Sequence, residues 1–178
     1  MLNAIGSKAD LESEDSSYHY LVADLLDSEV VQEMKNYVHH GNTSCFQHCL
    51  NVSYYNYKLC KLFSLNERAG ARAGLLHDLF LYDWHCYVPE KGERLHGFTH
   101  AKRALENARK SFYISDLEAD IIEKHMFPLN LFSLPRYRET LVIVFTDKLC
   151  GIMETVSYRG CVIKKFLKRK FGTVKGDA

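Results

Sequence analysis

From Tyr18 almost to the end of the chain, large apolar residues return every three or four positions, and no stretch sustains the period-two alternation of a half-buried strand. This confines the chain to an all-α fold. Val22, Leu25, Leu26, Val30, Met34, Tyr37 and Val38 keep the period, with Asp27-Ser28 as a break between two short helices. Ser44 with Gln47 has the pattern of a capping box for a helix reaching about Phe63, and Asn66 is placed to cap the next, which ends at His77-Asp78. The small residues from Arg68 to Gly74 predict a central helix closely approached by its neighbours. A loop is expected from Asp83 to Gly97, around Pro89 and Gly92; Thr99 is the expected cap of a helix opening at His100. Ser115 and Glu118 form a second capping box for a helix ending near His125, and Pro135 suits the first turn of a helix running to about Gly151. A basic amphipathic helix is expected after Tyr158. We expect one domain over residues 17–172, flanked by flexible tails at 1–16 and 173–178.

A length of 178 residues is enough to bury roughly two-thirds of the unfolded surface around one core. The net charge of +1 carries no global nucleic-acid signature, so no nucleic-acid partner is expected. The run Lys164-Lys165-Phe166-Leu167-Lys168-Arg169-Lys170 is taken as a solvated helix face rather than a nucleic-acid or membrane contact. No apolar run approaches the roughly 20 residues that span a bilayer, and no secretory leader pattern opens the sequence, so a cytoplasmic protein without membrane contact is expected. The six cysteines show no paired framework, which favours reduced thiols; Cys45, His48 and Cys49 lack the second cysteine pair of a zinc cluster.

His48, His77-Asp78, His100, His125 and Asp147 supply the chemistry. Each lies inside or at the edge of an apolar helical pattern, where a lone imidazole or carboxylate is costly without compensation. Together they offer six nitrogen and oxygen donors, enough for two metal ions. Imidazole with carboxylate suits iron, manganese, cobalt, nickel or zinc better than calcium or magnesium.

In this order, His48, His77-Asp78 and Asp147 resemble the four-residue signature of the HD-domain superfamily of metal-dependent phosphohydrolases, and His100 with His125 resembles the added pair of its dinuclear branches. The local texts Gly-Leu-Leu-His-Asp, Gly-Phe-Thr-His-Ala-Lys and Phe-Thr-Asp-Lys are similar to the metal-bearing helices of small bacterial members. The resemblance covers about residues 18–155 and implies a helical bundle with metals between its helices. It implies one ion on His48, His77, Asp78 and Asp147, and a second on His100 and His125 with Asp78 bridging. Iron or manganese is expected first, with zinc, cobalt or nickel as alternatives. His100 is preferred to His96, which is expected to face solvent or to stand behind the ligands.

The implied reaction is attack of metal-activated hydroxide on the phosphorus of a small phosphorylated metabolite, a nucleotide first among them. Asp78 and Lys148 are the expected catalytic residues, with Lys148, Arg103 and Lys102 as the cations that would meet phosphate. No Gly-Tyr-Pro triplet occurs, which argues against the cyclic-dinucleotide branch that carries it. Leu79-Phe80-Leu81-Tyr82 stands where nucleotidase and alarmone-hydrolase branches carry acidic groups. The ligand order is closest to the branch that hydrolyses dinucleoside polyphosphates, although its charged residue after His-Asp is missing. Two other readings share the pattern: an HD-fold di-iron oxygenase and a non-catalytic HD sensor module.

Overall fold

The computed structural model describes residues 16–39, 41–88, 95–131 and 133–171, with the backbone alone at 164 and 166–171. Of the expected tails, residues 1–15 and 173–178 lie outside the described residues while Ser16 opens a helix; Pro89, Gly92 and the side chains of Lys168, Arg169 and Lys170 also lie outside them. Seven α-helices and no strand occur among those residues, an all-α bundle in agreement with the sequence periodicity. They are α1 (Ser16–Leu26), α2 (Glu29–Gln32), α3 (Cys45–Leu62), α4 (Glu67–Leu76), α5 (His96–Ser111), α6 (Asp116–Lys124) and α7 (Arg138–Phe171), with a 3-10 turn at Glu33–Asn36. No described helix is long and apolar enough to cross a membrane.

The helix starts follow local chemistry. Ser44 caps α3 by accepting from the Gln47 N–H, but the Gln47 side chain turns to Asn51 instead, so the expected capping box is half made. Asn66 caps α4 through the Ala69 N–H, and Ser115 with Glu118 completes a full capping box at α6. Three boundaries differ from expectation, one being the start of α7 at Arg138, which leaves Pro135 outside the helix rather than in its first turn. Helix α5 opens at His96 rather than His100, and Thr99 sits in its first turn, donating to the His96 carbonyl. Gly151 does not end a helix: α7 runs through it for 34 residues, about 51 Å at the usual rise. A single glycine costs only about 1 kcal/mol in a helix, and no proline follows to stop it.

Helix α4 lies at the centre, against α1, α3, α6 and α7. Its glycines permit that approach: a Cβ on Gly74 would come within 2.8 Å of the Ser53 Cα of α3, and one on Gly70 within 2.7 Å of the Cys60 sulfur. Leu25, Leu50, Leu75, Leu76, Ile121, Ile122 and Ile143 are fully buried around it. Polar ties cross this core. Arg72 of α4 reaches Asp24 of α1 and Glu118 of α6, and Thr146 of α7 donates to Asn56 of α3 at 2.6 Å. Helix α7 turns Thr140, Ile143, Thr146, Cys150 and Glu154 inward, and beyond Glu154 none of its described side chains is buried. No disulfide forms among the six cysteines, of which Cys45, Cys49, Cys60 and Cys150 are buried.

Candidate metal centre

The bundle brings His48 from α3, His77 and Asp78 from the end of α4, His100 from α5, His125 from the end of α6 and Asp147 from α7 into one cluster. The helix ends explain the aim of the side chains. His77 and His125 each follow the last turn of a helix, so the imidazole folds back on a carbonyl of its own helix: His77 Nδ1 donates to Gly74 O at 2.9 Å, and His125 Nδ1 to Ile122 O at 2.8 Å. His100 Nδ1 donates likewise to His96 O at 2.9 Å. A carbonyl can only accept, so these contacts fix the tautomer and leave each Nε2 lone pair facing inward. His48 Nδ1 is held at 3.0 Å by the Glu154 carboxylate, which Asn51 steadies from the same helix face.

The four Nε2 atoms converge on two carboxylates. His48 lies 3.1 Å and His77 3.6 Å from Asp147 Oδ1; His77 lies 3.4 Å from Asp78 Oδ2. His100 and His125 lie 3.4 and 3.6 Å from Asp78 Oδ1, and their Nε2 atoms are 3.0 Å apart. Two lone pairs at that distance repel, and only a proton or a cation between them relieves the contact. His77 Nε2 and Asp78 Oδ1 are buried and accept or donate no hydrogen bond among the described residues. Such orphaned atoms cost about 1–3 kcal/mol each unless something occupies the space they face.

The separations themselves fit a cation. Ligand atoms about 2.1 Å from one ion stand about 3.0 Å apart along an octahedral edge and about 3.4 Å apart along a tetrahedral one. The observed contacts, 3.0 to 3.6 Å, span that range. Three overlapping groups can hold a metal ion: His48 with His77 and Asp147, His77 with Asp78 and His125, and His39 with His48 and Asp78.

Charge is balanced within the cluster. Burial opposes a proton on His48, yet Asp147 and Glu154 hold its pKa well above the usual imidazole range. Burial is overcome in the same way at His77 by Asp78, Cys49 and Asp147. Burial would raise the carboxyls, but His77 and His39 hold Asp78, and His48 and His77 hold Asp147, well below the usual range. Burial and the charge on His77 push His125 down to about 3. The positive charge that these carboxylates favour on His48 and His77 is the kind a cation would supply, and binding one there would displace any proton on the ligating nitrogens.

Two partners escaped the sequence reading. His39, two residues before Gly41, donates from Nε2 to Asp78 Oδ2 at 2.6 Å, and its backbone N–H is anchored on Thr43 O. Glu154 lies seven residues beyond Asp147 on the same face of α7, a spacing that was available in the sequence as a signal. His96 stands behind the ligands: its ring stacks between Trp84 and His100, and its Nδ1 accepts from Tyr82 at 2.8 Å. Burial, followed by the neighbouring His100, lowers its pKa to about 4.

A cavity of about 640 Å³ opens over the cluster. Lys148 lines it and donates to the His125 carbonyl at 3.2 Å. Lys102 and Arg103 do not line it. Lys102 is exposed beside Glu106, and Arg103 donates to the Tyr87 hydroxyl while lying over the Tyr82 and Tyr87 rings. On the described side chains, Lys148 is thus the lone expected phosphate-binding residue that the fold brings to the centre. No protein-family model, curated protein or solved structure matches the chain.

Proposed function

We propose that this protein is an HD-type metal-dependent phosphohydrolase acting on a small phosphorylated metabolite. The observation that carries the reading is the set of imidazoles whose Nδ1 atoms are tied to oxygen acceptors while their Nε2 atoms converge on Asp78 and Asp147 beneath an open cavity. His48, His77, Asp78 and Asp147 would hold one ion, and His100 and His125 a second that shares Asp78. Two such ions, iron or manganese first, would acidify a water and clamp the oxygens of a phosphate ester.

The chain's own groups do the rest. Gly74, His96 and Ile122 carbonyls and the Glu154 carboxylate keep the imidazoles in the ligating tautomer, which raises their basicity toward a cation. His39 steadies Asp78 from the side away from His100 and His125, so that Oδ1 faces those two rings. Lys148 offers the cavity a cation for the phosphate oxygens, already pinned by the His125 carbonyl.

The test is metal analysis of protein purified without chelator, followed by a phosphorylated-metabolite screen with added manganese or iron in the absence of oxygen. Phosphate release is expected. Lys148→Ala should raise KM about 10- to 100-fold, the worth of one charge-assisted hydrogen bond, with metal content unchanged. Oxygen consumption by the metal-loaded protein, with no ester or anhydride hydrolysed, would replace this reading with the di-iron oxygenase.

A further inference from the structure

The wall above the metal cluster differs sharply from its floor. Beside the metal-binding candidates it is formed by Trp84, Met126, Gly151, Ile152 and Val156. Polar groups are few. Lys148 is the one Lys or Arg among the described residues that line the cavity. The Thr155 hydroxyl donates to Gly151 O at 2.8 Å, and His96 Nδ1 is taken by Tyr82. Ile152 and Val156 are 60 % and 59 % exposed, on the cavity side of a helix whose opposite stripe is packed in the core.

Such a wall discriminates by chemistry. A sugar brought into it would lose water from several hydroxyls and find few partners, and each unpaired hydroxyl lowers affinity by about tenfold or more. Past the metal floor, the outer phosphates of a polyphosphate would find one described lysine among apolar side chains. A single phosphate on the metal floor and Lys148, with an apolar group against Trp84, Ile152 and Val156, leaves no polar atom stranded. The volume lies within the range of small-molecule sites.

We propose that the cavity selects phosphate monoesters whose organic part is apolar, an aryl or short alkyl group, over sugar phosphates and polyphosphates. This rests on the hydrolase reading and makes the expected nucleotide a poor fit. In the reaction the oxygen of water bonds to phosphorus, the ester P–O bond breaks, and the alcohol leaves with a proton from that water.

Two readouts separate the pocket from the chemistry. The first is kcat/KM of the manganese-loaded full chain on ethyl, butyl, hexyl and phenyl phosphate against glucose 6-phosphate and ATP. It should rise about fourfold for each added methylene until the cavity is filled, and phenyl phosphate should exceed both polar substrates. The second is binding of the matching alkyl and phenyl phosphonates, which cannot be hydrolysed, followed by the emission of Trp84, the chain's one tryptophan. Affinity should climb the same series, and Ile152→Asn with Val156→Asn should flatten it; both positions are exposed, so folding is spared. If the phosphonate series holds but no ester is turned over, the pocket assignment stands and the hydrolase reading falls. If esters are hydrolysed with glucose 6-phosphate or ATP equal to or better than hexyl and phenyl phosphate, the pocket assignment is overturned. Phosphonate affinity that is flat with chain length in the wild type overturns it as well.

Discussion

At the scale of single residues, the centre contains two buried atoms, His77 Nε2 and Asp78 Oδ1, that make no hydrogen bond among the described residues. Asp78 stands between His77 and His39 on one oxygen and His100 and His125 on the other, so its loss cannot be repaired from one side. Asp78→Ala should abolish bound metal altogether. His100→Ala and His125→Ala should each halve a two-ion stoichiometry and spare the ion on His48, His77, Asp78 and Asp147; elemental analysis of the three variants decides this, and unchanged content in both histidine variants would sink the paired-ion assignment. Glu154 acts one layer further out. Glu154→Gln keeps the shape but offers His48 Nδ1 a weaker acceptor, so metal affinity should drop about 10- to 100-fold in chelator competition while the fold persists. The six side chains that cluster here stood out in the sequence because imidazole and carboxylate inside apolar helices need an explanation. His39 was not, because nothing about a histidine beside a turn says which carboxylate it will meet.

At the scale of elements, the centre depends on how α6 and α7 are locked together behind it. The Asp120 carboxylate of α6 accepts from Thr140 at 2.6 Å and from the Arg136 N–H at 3.0 Å, and it pairs with Lys124. Burial would raise its pKa, but Lys124, Thr140 and the Arg136 N–H hold it below the usual carboxylate value. The folded pKa is thus the lower one, so the stabilisation is complete above an unfolded value of about 4 and is lost as pH falls through the folded value. Asp120→Ala should cost about 2 kcal/mol in urea unfolding at pH 7, partly by leaving the buried Thr140 hydroxyl unpaired. The gap to the wild type should narrow as the pH drops below 4. A gap independent of pH would mean that the charge contributes nothing. Helix starts with a side-chain cap, at Ser44, Asn66 and Ser115, were legible in advance, because the cap is a contact over three residues. The start of α5 and the length of α7 were not, since neither carries a local stop signal strong enough to decide them.

For the whole molecule, the cluster draws its side chains from five helices or their ends, so a cation bound there would act as a staple across the bundle. Metal at about 100 times its dissociation constant adds about 2.7 kcal/mol to stability, which for a chain of this size is a rise of about 5–11 °C in Tm. A thermal scan with manganese against one with chelator should show that shift, and Asp78→Ala should remove it. A shift that survives in Asp78→Ala would place the stabilising ion elsewhere. By itself, the sequence determined the all-α class, most helix starts and the inventory of donors, because periodicity and caps are local and buried ligands stand out against an apolar pattern. Tertiary structure alone decided which donors meet, that His39 and Glu154 join them, that Lys148 lines the cavity while Lys102 and Arg103 do not, and that the wall above the centre is apolar. Those outcomes depend on how residues far apart in the chain are packed against one another, and spacing along a sequence carries no record of the angle at which two helices cross.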